Sequence, residues 1–182
     1  MMVSDKHRVI WICVPGTGTR SFERAAKIAQ MDFNLYSKDK HPETDIPMAL
    51  HAPAFVVREV ISKAIWNRYE KIAIIRNPYD WMNSIYHHHA LKNIGMTAED
   101  KPFDQFVKLN TKTPYYWYLD QQNNMLIDTL YKTEEINKLF HRFGLEPVHI
   151  NKTSERKKKE EYTPELKKIM QERFWREFKH YE

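Results

Sequence analysis

The sequence predicts an α/β fold, with a central parallel sheet flanked by helices, in one domain that spans residues 1–182. Two short apolar, β-branched runs, residues 8–14 and 71–75, have the length and composition of buried strands. Apolar residues at helical spacing follow each run, and strands that alternate with helices are typical of parallel sheets. A chain of 182 residues fits one domain with one hydrophobic core.

The opening of the chain is predicted to be a strand, a tight polar loop and a helix. The strand breaks at Pro15 and Gly16, and from Arg20 the apolar residues fall near one helical face. Cys13 lies in the apolar run and is predicted to be a buried core thiol. Because it is the only cysteine, no internal disulfide is possible.

The remaining elements are predicted from breakers and caps. Residues 39–53 contain three prolines and read as a loop, and residues 54–66 read as one helix. Pro78 is expected to open a helix after the second strand. Residues 97–131 are predicted to be helices joined by irregular segments.

Towards the end of the chain, residues 134–143 are predicted to form a helix that Gly144 closes. Residues 147–150 are a candidate for a last short strand. Thr163, directly before a proline and a glutamate, predicts the start of a final helix.

The charge balance suits an anionic ligand. The chain has 29 Lys+Arg against 24 Asp+Glu, a formal net charge of +5. This excess is small and no recognised binding motif accompanies it, so we expect no nucleic-acid partner.

We see no signal-peptide stretch and no apolar run of transmembrane length, so we expect no membrane association and a cytoplasmic location. The oligomeric state is not predicted.

The loop after the first strand, residues 14–21 (VPGTGTRS), lies where open α/β sheets bind ligands. Small residues let backbone N–H groups converge, and the next helix adds its positive end. Hydroxyl and guanidinium donors complete a predicted phosphate or sulfate site, whose residues are Gly16, Thr17, Gly18, Thr19, Arg20 and Ser21. The alternative is an ordinary strand-to-helix turn. A Walker A loop would end in Gly-Lys-Ser/Thr, which is missing, so a small-molecule kinase is disfavoured.

Residues 76–86 (RNPYDWMNSIY) carry a second set of donors. Arg76 ends the second strand, and Ser84 lies about two helical turns further on. If the helix folds back over the strand end, the guanidinium and the hydroxyl converge on one phosphate. The alternative is that Arg76 caps a carboxylate and Ser84 is an ordinary helix residue.

Together these motifs resemble the sulfotransferases that use 3′-phosphoadenosine 5′-phosphosulfate (PAPS), particularly their carbohydrate-type branch and its small bacterial and viral members. Residues 15–22 (PGTGTRSF) resemble the family's 5′-phosphosulfate loop, and residues 76–86 resemble its 3′-phosphate site. Residues 51–54 (HAPA) resemble the segment before the second strand. Residues 149–154 and 162–166 resemble the closing stretch, so the matches occur in family order along most of the chain.

The resemblance implies a P-loop-like sheet, PAPS as donor, 3′-phosphoadenosine 5′-phosphate (PAP) as product, and no metal. It implies in-line transfer of the sulfuryl group to a hydroxyl or amine, with a saccharide favoured by the branch. Beyond the first loop, it implies PAPS contacts from Arg76, Ser84, Asn151, Lys152 and Arg156.

One departure from the family pattern is Gly16, because family loops usually carry a lysine, sometimes an arginine, at this position. That cation contacts the bridging oxygen and the leaving phosphate. Arg20, at the start of the helix, is the candidate substitute, since it is cationic at any relevant pH. If it does not substitute, the chain is a catalytically impaired PAP- or PAPS-binding module.

The acceptor needs a base, and His51 is the first candidate. The ordinary pKa of histidine, about 6.5, suits proton transfer near neutral pH, and the resemblance implies an active-site histidine in this region. Glu59 and Asp80 are weaker candidates, and a packing histidine is the alternative.

Residues 87–89 (HHH) are not predicted to bind a metal, because consecutive helical residues point in different directions. The aromatic run 115–118 is predicted mainly to pack, with stacking on a sugar or adenine as the alternative.

Overall fold

The computed structural model describes residues 1–35, 40–41, 44–47, 50–87, 102–147 and 160–182, and for residues 34–47 it describes the backbone alone. The chain divides into two compact units. The first unit is Met1–Ile75 with Tyr116–Ile150, and the second is Arg76–Tyr115 with Asn151–Glu182. That residues 1–182 act as one domain stays a prediction.

The first unit contains a five-stranded sheet in the order β3-β1-β2-β6-β7, and β4 and β5 form a separate antiparallel pair. β2, β6 and β7 are parallel neighbours, while β1 is antiparallel to both β2 and β3. Four of the five strands therefore point the same way, so the α/β class with a mostly parallel sheet is confirmed. The strands are β1 Met2–Ser4, β2 Val9–Ile12, β3 Asn34–Leu35, β4 Lys40–His41, β5 Thr44–Pro47, β6 Glu70–Ile75 and β7 Thr129–Lys132.

The helices in the described residues are short. They are α1 Thr19–Ile28, α2 Ala54–Val60, α3 Lys63–Arg68, α4 Pro78–Ile85, α5 Phe103–Leu109, α6 Tyr115–Tyr118, α7 Ile136–Arg142, α8 Pro164–Arg173 and α9 Trp175–Phe178. A 3₁₀ turn, Thr133–Glu135, precedes α7. None of the helices in this described part is long and apolar enough to cross a membrane.

Several sequence predictions of local structure need correction. The helix predicted over residues 54–66 is two helices, because Ile61 is extended and the Ser62 hydroxyl caps α3 by accepting the Ile65 N–H at 3.3 Å. The loop predicted over residues 39–53 contains β4 and β5, and the segment 97–131 contains most of β7. The strand proposed at residues 147–150 falls largely outside the described residues.

Other local predictions are confirmed by their capping contacts. Pro78 opens α4 behind Asn77, whose side-chain oxygen accepts the Tyr79 N–H at 3.0 Å. The Thr163 hydroxyl accepts the Leu166 N–H at 3.3 Å and begins α8. Gly144, with φ 65°, ends α7.

The core of the first unit lies between one face of the sheet and two helices, α1 and α7. Trp11 on β2 meets Phe22 of α1 edge-on, with ring centroids 4.2 Å apart. Phe22 in turn lies 5.5 Å from Phe140 of α7 and 5.7 Å from Phe143. These contacts fix α1, and therefore the loop that leads into it, against the carboxyl half of β2.

The second unit is held by side chains that bind the ends of its helices. The Arg173 guanidinium of α8 donates to the backbone carbonyls of Val107 at 2.6 Å, Lys108 at 3.2 Å and Asn110. A cation suits the carbonyl end of a helix, which here is α5. Trp81 of α4 packs against Phe174, the residue between α8 and α9, at 5.8 Å between ring centroids.

Candidate functional site

The segment 14–21, which contains the turn after β2 and the first three residues of α1, is called the glycine loop here. Gly16 and Gly18 have φ angles of 76° and 87°, a left-handed conformation that side chains rarely adopt. Gly18 is the N-cap of α1, and its carbonyl accepts the Ser21 N–H at 3.0 Å. The two glycines thus turn the chain sharply at the carboxyl end of β2, where the sequence predicts the anion site.

The threonines of the glycine loop are buried. Thr17 has no exposed surface and donates its hydroxyl to the Val14 carbonyl at 2.9 Å. This hydroxyl was predicted to bind the ligand, but its proton is used inside the loop. Thr19 is 4% exposed, and Ser21 is half-buried on the first turn of α1. Cys13, directly before the loop, is a buried thiol as predicted, and burial raises its pKa.

Adding a methyl group at Gly18 is expected to destabilise the first unit more than the same change at Gly144. Both glycines have positive φ, so alanine costs about 1–2 kcal/mol at either position. At Gly18 the new Cβ would lie 2.7 Å from Cδ1 of Ile136, whereas at Gly144 nothing lies within 4 Å. We expect about 1 kcal/mol of additional loss for Gly18→Ala, measured by urea unfolding.

Ile136→Val removes the Cδ1 atom that the new methyl group would meet. Because Ile→Val itself costs about 0.5–1.5 kcal/mol, the cost of Gly18→Ala in G18A/I136V is taken relative to Ile136→Val alone, and it should be about 1 kcal/mol smaller than in the wild-type chain. Equal losses in the free energy of unfolding for Gly18→Ala and Gly144→Ala would contradict this close approach. So would an equal cost of Gly18→Ala in the wild-type chain and in Ile136→Val.

The backbone of Gly16 gives a physical reason for the absence of the expected lysine. A non-glycine residue at φ 76° is strained by about 1–2 kcal/mol. The loop therefore takes a path on which glycine is the favoured residue at this position. Any cation that assists the glycine loop must come from elsewhere in the chain.

Arg20, the predicted substitute, is engaged along its own helix. Its Nη1 lies 3.2 Å from Oε2 of Glu23, and Lys27 reaches Oε1 of the same carboxylate at 2.8 Å. The Arg20 side chain is 66% exposed, whereas that of Glu23 is only 10% exposed. An exposed ion pair of this kind contributes roughly 0.2–1 kcal/mol, so a bound anion can compete for the guanidinium.

His51 lies at the same strand end as the glycine loop. Its Nδ1 lies 2.7 Å from the carbonyl oxygen of Cys13, the residue between β2 and the loop. A carbonyl oxygen only accepts, so Nδ1 carries the proton and Nε2 is the basic nitrogen of the neutral ring. Glu59, a weaker candidate base, has a side chain that is 74% exposed and lies 3.6 Å from Arg58.

Two aromatic residues that the sequence predicted mainly to pack also make polar contacts here. The Trp117 indole N–H donates to the His51 carbonyl at 2.8 Å, and the Tyr118 hydroxyl donates to the Ile74 carbonyl on β6 at 2.9 Å. The aromatic run 115–118 was the only sequence signal for them, and it gave no direction for their polar atoms.

The second predicted loop belongs to the second unit. Arg76 directly follows β6, and Ser84 lies in the last turn of α4; both are half-buried. Asn83, next to Ser84, donates to the Tyr79 carbonyl at 3.1 Å and accepts the Glu160 N–H at 3.0 Å, which ties the start of the last described segment to α4. That Arg76 and Ser84 converge on one phosphate stays a prediction.

Other predicted residues are placed elsewhere or lie outside the described ranges. Asn151, Lys152 and Arg156 are outside them, as are two of the three consecutive histidines. His87 lies 3.5 Å from the Glu160 carboxylate, measured from Nε2 to Oε1. Asp80 is in the first turn of α4. No group of three or more potential metal ligands occurs within the described ranges.

No protein-family model, no curated protein and no solved structure matches this chain. The contacts bring a turn with two left-handed glycines and an oriented histidine to one strand end of the first unit.

Proposed function

We propose that the chain is a sulfotransferase that takes the sulfuryl group of PAPS and transfers it to a hydroxyl or amine acceptor, with a saccharide as the favoured class. One observation carries the proposal. His51 is hydrogen-bonded through Nδ1 to the residue that leads into the glycine loop, so a candidate base stands beside a candidate anion site. Gly16 occupies the position of the usual loop lysine, so the proposal takes Arg20 as the cation of the site.

The glycine loop is proposed to act as a P-loop-like turn around the 5′-phosphosulfate. The ten-residue helix α1 begins at its end and supplies positive partial charge there. Because the Thr17 hydroxyl donates to the Val14 carbonyl, Thr17 is proposed to bind the phosphosulfate through its backbone, as Gly16 and Gly18 do. The absence of a Walker lysine and serine disfavours Mg²⁺-dependent phosphoryl transfer.

In the proposed reaction, Nε2 of His51 takes the proton of the acceptor hydroxyl as its oxygen bonds to sulfur. The bond between sulfur and the bridging oxygen breaks, and PAP leaves with that electron pair. Negative charge grows on the bridging oxygen, and loop N–H groups, Thr19, Ser21 and Arg20 are proposed to stabilise it. Preorganised donors of this kind typically contribute roughly 2.7–4 kcal/mol each to the barrier.

The 3′-phosphate of PAPS is proposed to bind Arg76 and Ser84. These groups are remote from the bonds that change, so their interactions act on affinity in the ground state and transition state alike. Asn151, Lys152 and Arg156 are proposed as further nucleotide contacts. Each of these assignments follows from the motif resemblance of the sequence.

Arg20→Ala is expected to lower turnover with PAPS by roughly 10²–10³-fold, with a smaller change in the KM for PAPS. The reason is that the guanidinium is proposed to leave Glu23 and meet the charge that develops on the bridging oxygen. Steady-state kinetics measure both parameters. Arg24→Ala, an exposed arginine one turn further along α1, is the matched control and should change neither. A raised KM with unchanged turnover would contradict this role.

The second candidate function is a PAP- or PAPS-binding module with impaired catalysis. It is favoured by Gly16, whose positive φ disfavours the usual lysine, and by the existing pair between Arg20 and Glu23. This module and an active sulfotransferase share the ligand and differ only in transfer.

The experiment combines a binding arm with a transfer arm. Thermal shifts with PAP and with ATP plus Mg²⁺ test the ligand class, and a sulfotransferase or binding module predicts the larger stabilisation with PAP. Transfer of labelled sulfate from PAPS to a panel of saccharides, phenols and amines then tests catalysis. Stabilisation by PAP without transfer to any acceptor would favour the binding module. Stabilisation by ATP with Mg²⁺ alone would favour a kinase.

A further inference from the structure

Trp117 and Tyr118 of α6 join the candidate base to the sheet. Trp117 is 9% exposed and Tyr118 is fully buried, so their polar atoms need partners inside the protein. Both partners are backbone carbonyls: His51 for the indole N–H at 2.8 Å, and Ile74 for the phenol hydroxyl at 2.9 Å.

These two contacts and the His51 ring form one continuous path through the first unit. Tyr118 attaches α6 to β6, and Trp117, the adjacent residue, attaches α6 to the backbone of His51. The His51 ring then reaches the Cys13 carbonyl at the end of β2 at 2.7 Å. Because β2 and β6 are paired neighbours in the sheet, the path begins and ends on one rigid element.

The hydrogen bond from Trp117 matters for the His51 backbone because that backbone lies outside regular structure. Residue 51 is in a turn, and α2 begins only at Ala54. The ring can keep its Nδ1–H on the Cys13 carbonyl only while the backbone stays in place. The indole of Trp117 is rigid and mostly buried, so it fixes that backbone with little conformational freedom.

We infer that Trp117 is a positioning residue for His51, which holds the imidazole as the Nδ1–H tautomer and directs Nε2 to act as the proton acceptor. The catalytic consequence rests on the proposed function. The tautomer itself does not, because it is inferred from the contact of the His51 ring with the Cys13 carbonyl and from the contact of Trp117 with the His51 backbone.

The first experiment reads the tautomer in the wild-type protein. Nitrogen-15 NMR of the histidine rings, recorded above the titration range, distinguishes an Nδ1–H ring from an Nε2–H ring. We expect His51 to be Nδ1–H and the Trp117 indole proton to exchange slowly with solvent. An Nε2–H ring for His51, or rapid exchange of that indole proton, would overturn the inference without any variant.

The second experiment compares Trp117→Phe with Tyr118→Phe. Each change deletes one buried hydrogen bond from α6 to a backbone carbonyl and keeps an aromatic ring, but only the first deletes the contact to His51. We expect Trp117→Phe to shift His51 markedly towards a mixture of tautomers, and Tyr118→Phe, which deletes a contact one residue removed from the His51 contact, to shift it less. Identical spectra for the two variants, whether both shifted or both unchanged, would overturn the positioning role.

The kinetic arm separates this inference from the proposed function. Trp117→Phe should lower turnover with PAPS by about 10–100-fold with little change in the KM for PAPS, since a small misplacement of a base is costly. In the background of His51→Asn it should lower turnover no further, because the residue it positions is gone. Full additivity would overturn the inference. If wild-type protein neither binds PAP nor uses PAPS while the NMR result holds, the proposed function fails and the positioning of His51 stands.

Discussion

Replacing His51 with asparagine is expected to lower turnover with PAPS by roughly 10²–10⁴-fold and to leave the KM for PAPS nearly unchanged. The asparagine amide can still donate to the Cys13 carbonyl, which the imidazole Nδ1 contacts at 2.7 Å. It has no nitrogen that can take the acceptor proton. The variant therefore removes the base and keeps the contact that anchors it.

The pH dependence gives a second readout of the same change. A base must be unprotonated to act, so wild-type kcat/KM should rise with pH along an acid limb and then level off. His51→Asn should remove that limb. His141→Asn, an exposed histidine in the last turn of α7, is the control and should keep the wild-type profile. Wild-type turnover at every pH in the His51 variant would exclude this residue as the base.

Arg76→Ala is expected to raise the KM for PAPS and the Kd for PAP with little effect on turnover. A hydrogen bond to a charged group contributes about 1.5–3 kcal/mol, which corresponds to roughly 10–150-fold in affinity. The proposed partner is the 3′-phosphate, so affinity for 5′-AMP, which lacks it, should be unchanged. Isothermal titration with both nucleotides measures this difference.

The matched control for Arg76 is Arg68→Ala. Arg68 is an exposed arginine at the end of α3, before β6 rather than after it. It should retain wild-type affinity for both nucleotides. A fall in turnover at unchanged KM for Arg76→Ala, or an equal loss of 5′-AMP binding, would contradict the assignment of Arg76 to the 3′-phosphate.

The long buried strands could be predicted from the sequence, and the very short or half-buried strands could not. β2 is buried along its whole length and most of β6 is too, so each reads as an apolar run. β7 is half-buried throughout and carries no such run, and β1 has only three residues. The position of β7 is decided by its pairing with β6, a strand distant in the chain, which local composition does not report.

The glycine loop could be located from the sequence, whereas the state of its side chains could not. The run of small residues predicts a sharp turn, and Gly16 and Gly18 do adopt positive φ. The hydroxyl of Thr17 turns inward to a carbonyl three residues away, an alternative that the sequence leaves open. The pair between Arg20 and Glu23 has the i, i+3 spacing of a helical ion pair and could have been anticipated.

The orientation of His51 depends on contacts across long stretches of chain. Its ring partner is 38 residues away and the indole that holds its backbone is 66 residues away. Such contacts follow from the packing of strands and helices. The sequence could therefore identify His51 as a candidate base, but it could not predict the tautomer of the ring. The same limit explains why the contact of Trp117 with His51 was not predicted.

The most direct test of the central claim measures the equilibrium affinity of the whole wild-type chain for three ligands. These are PAP, 5′-AMP, and ATP with Mg²⁺. The account predicts that PAP binds at least about tenfold more tightly than 5′-AMP, because its additional 3′-phosphate meets a charged partner. It also predicts that ATP with Mg²⁺ binds more weakly than PAP. Equal affinities for PAP and 5′-AMP, or a preference for ATP with Mg²⁺, would contradict the account.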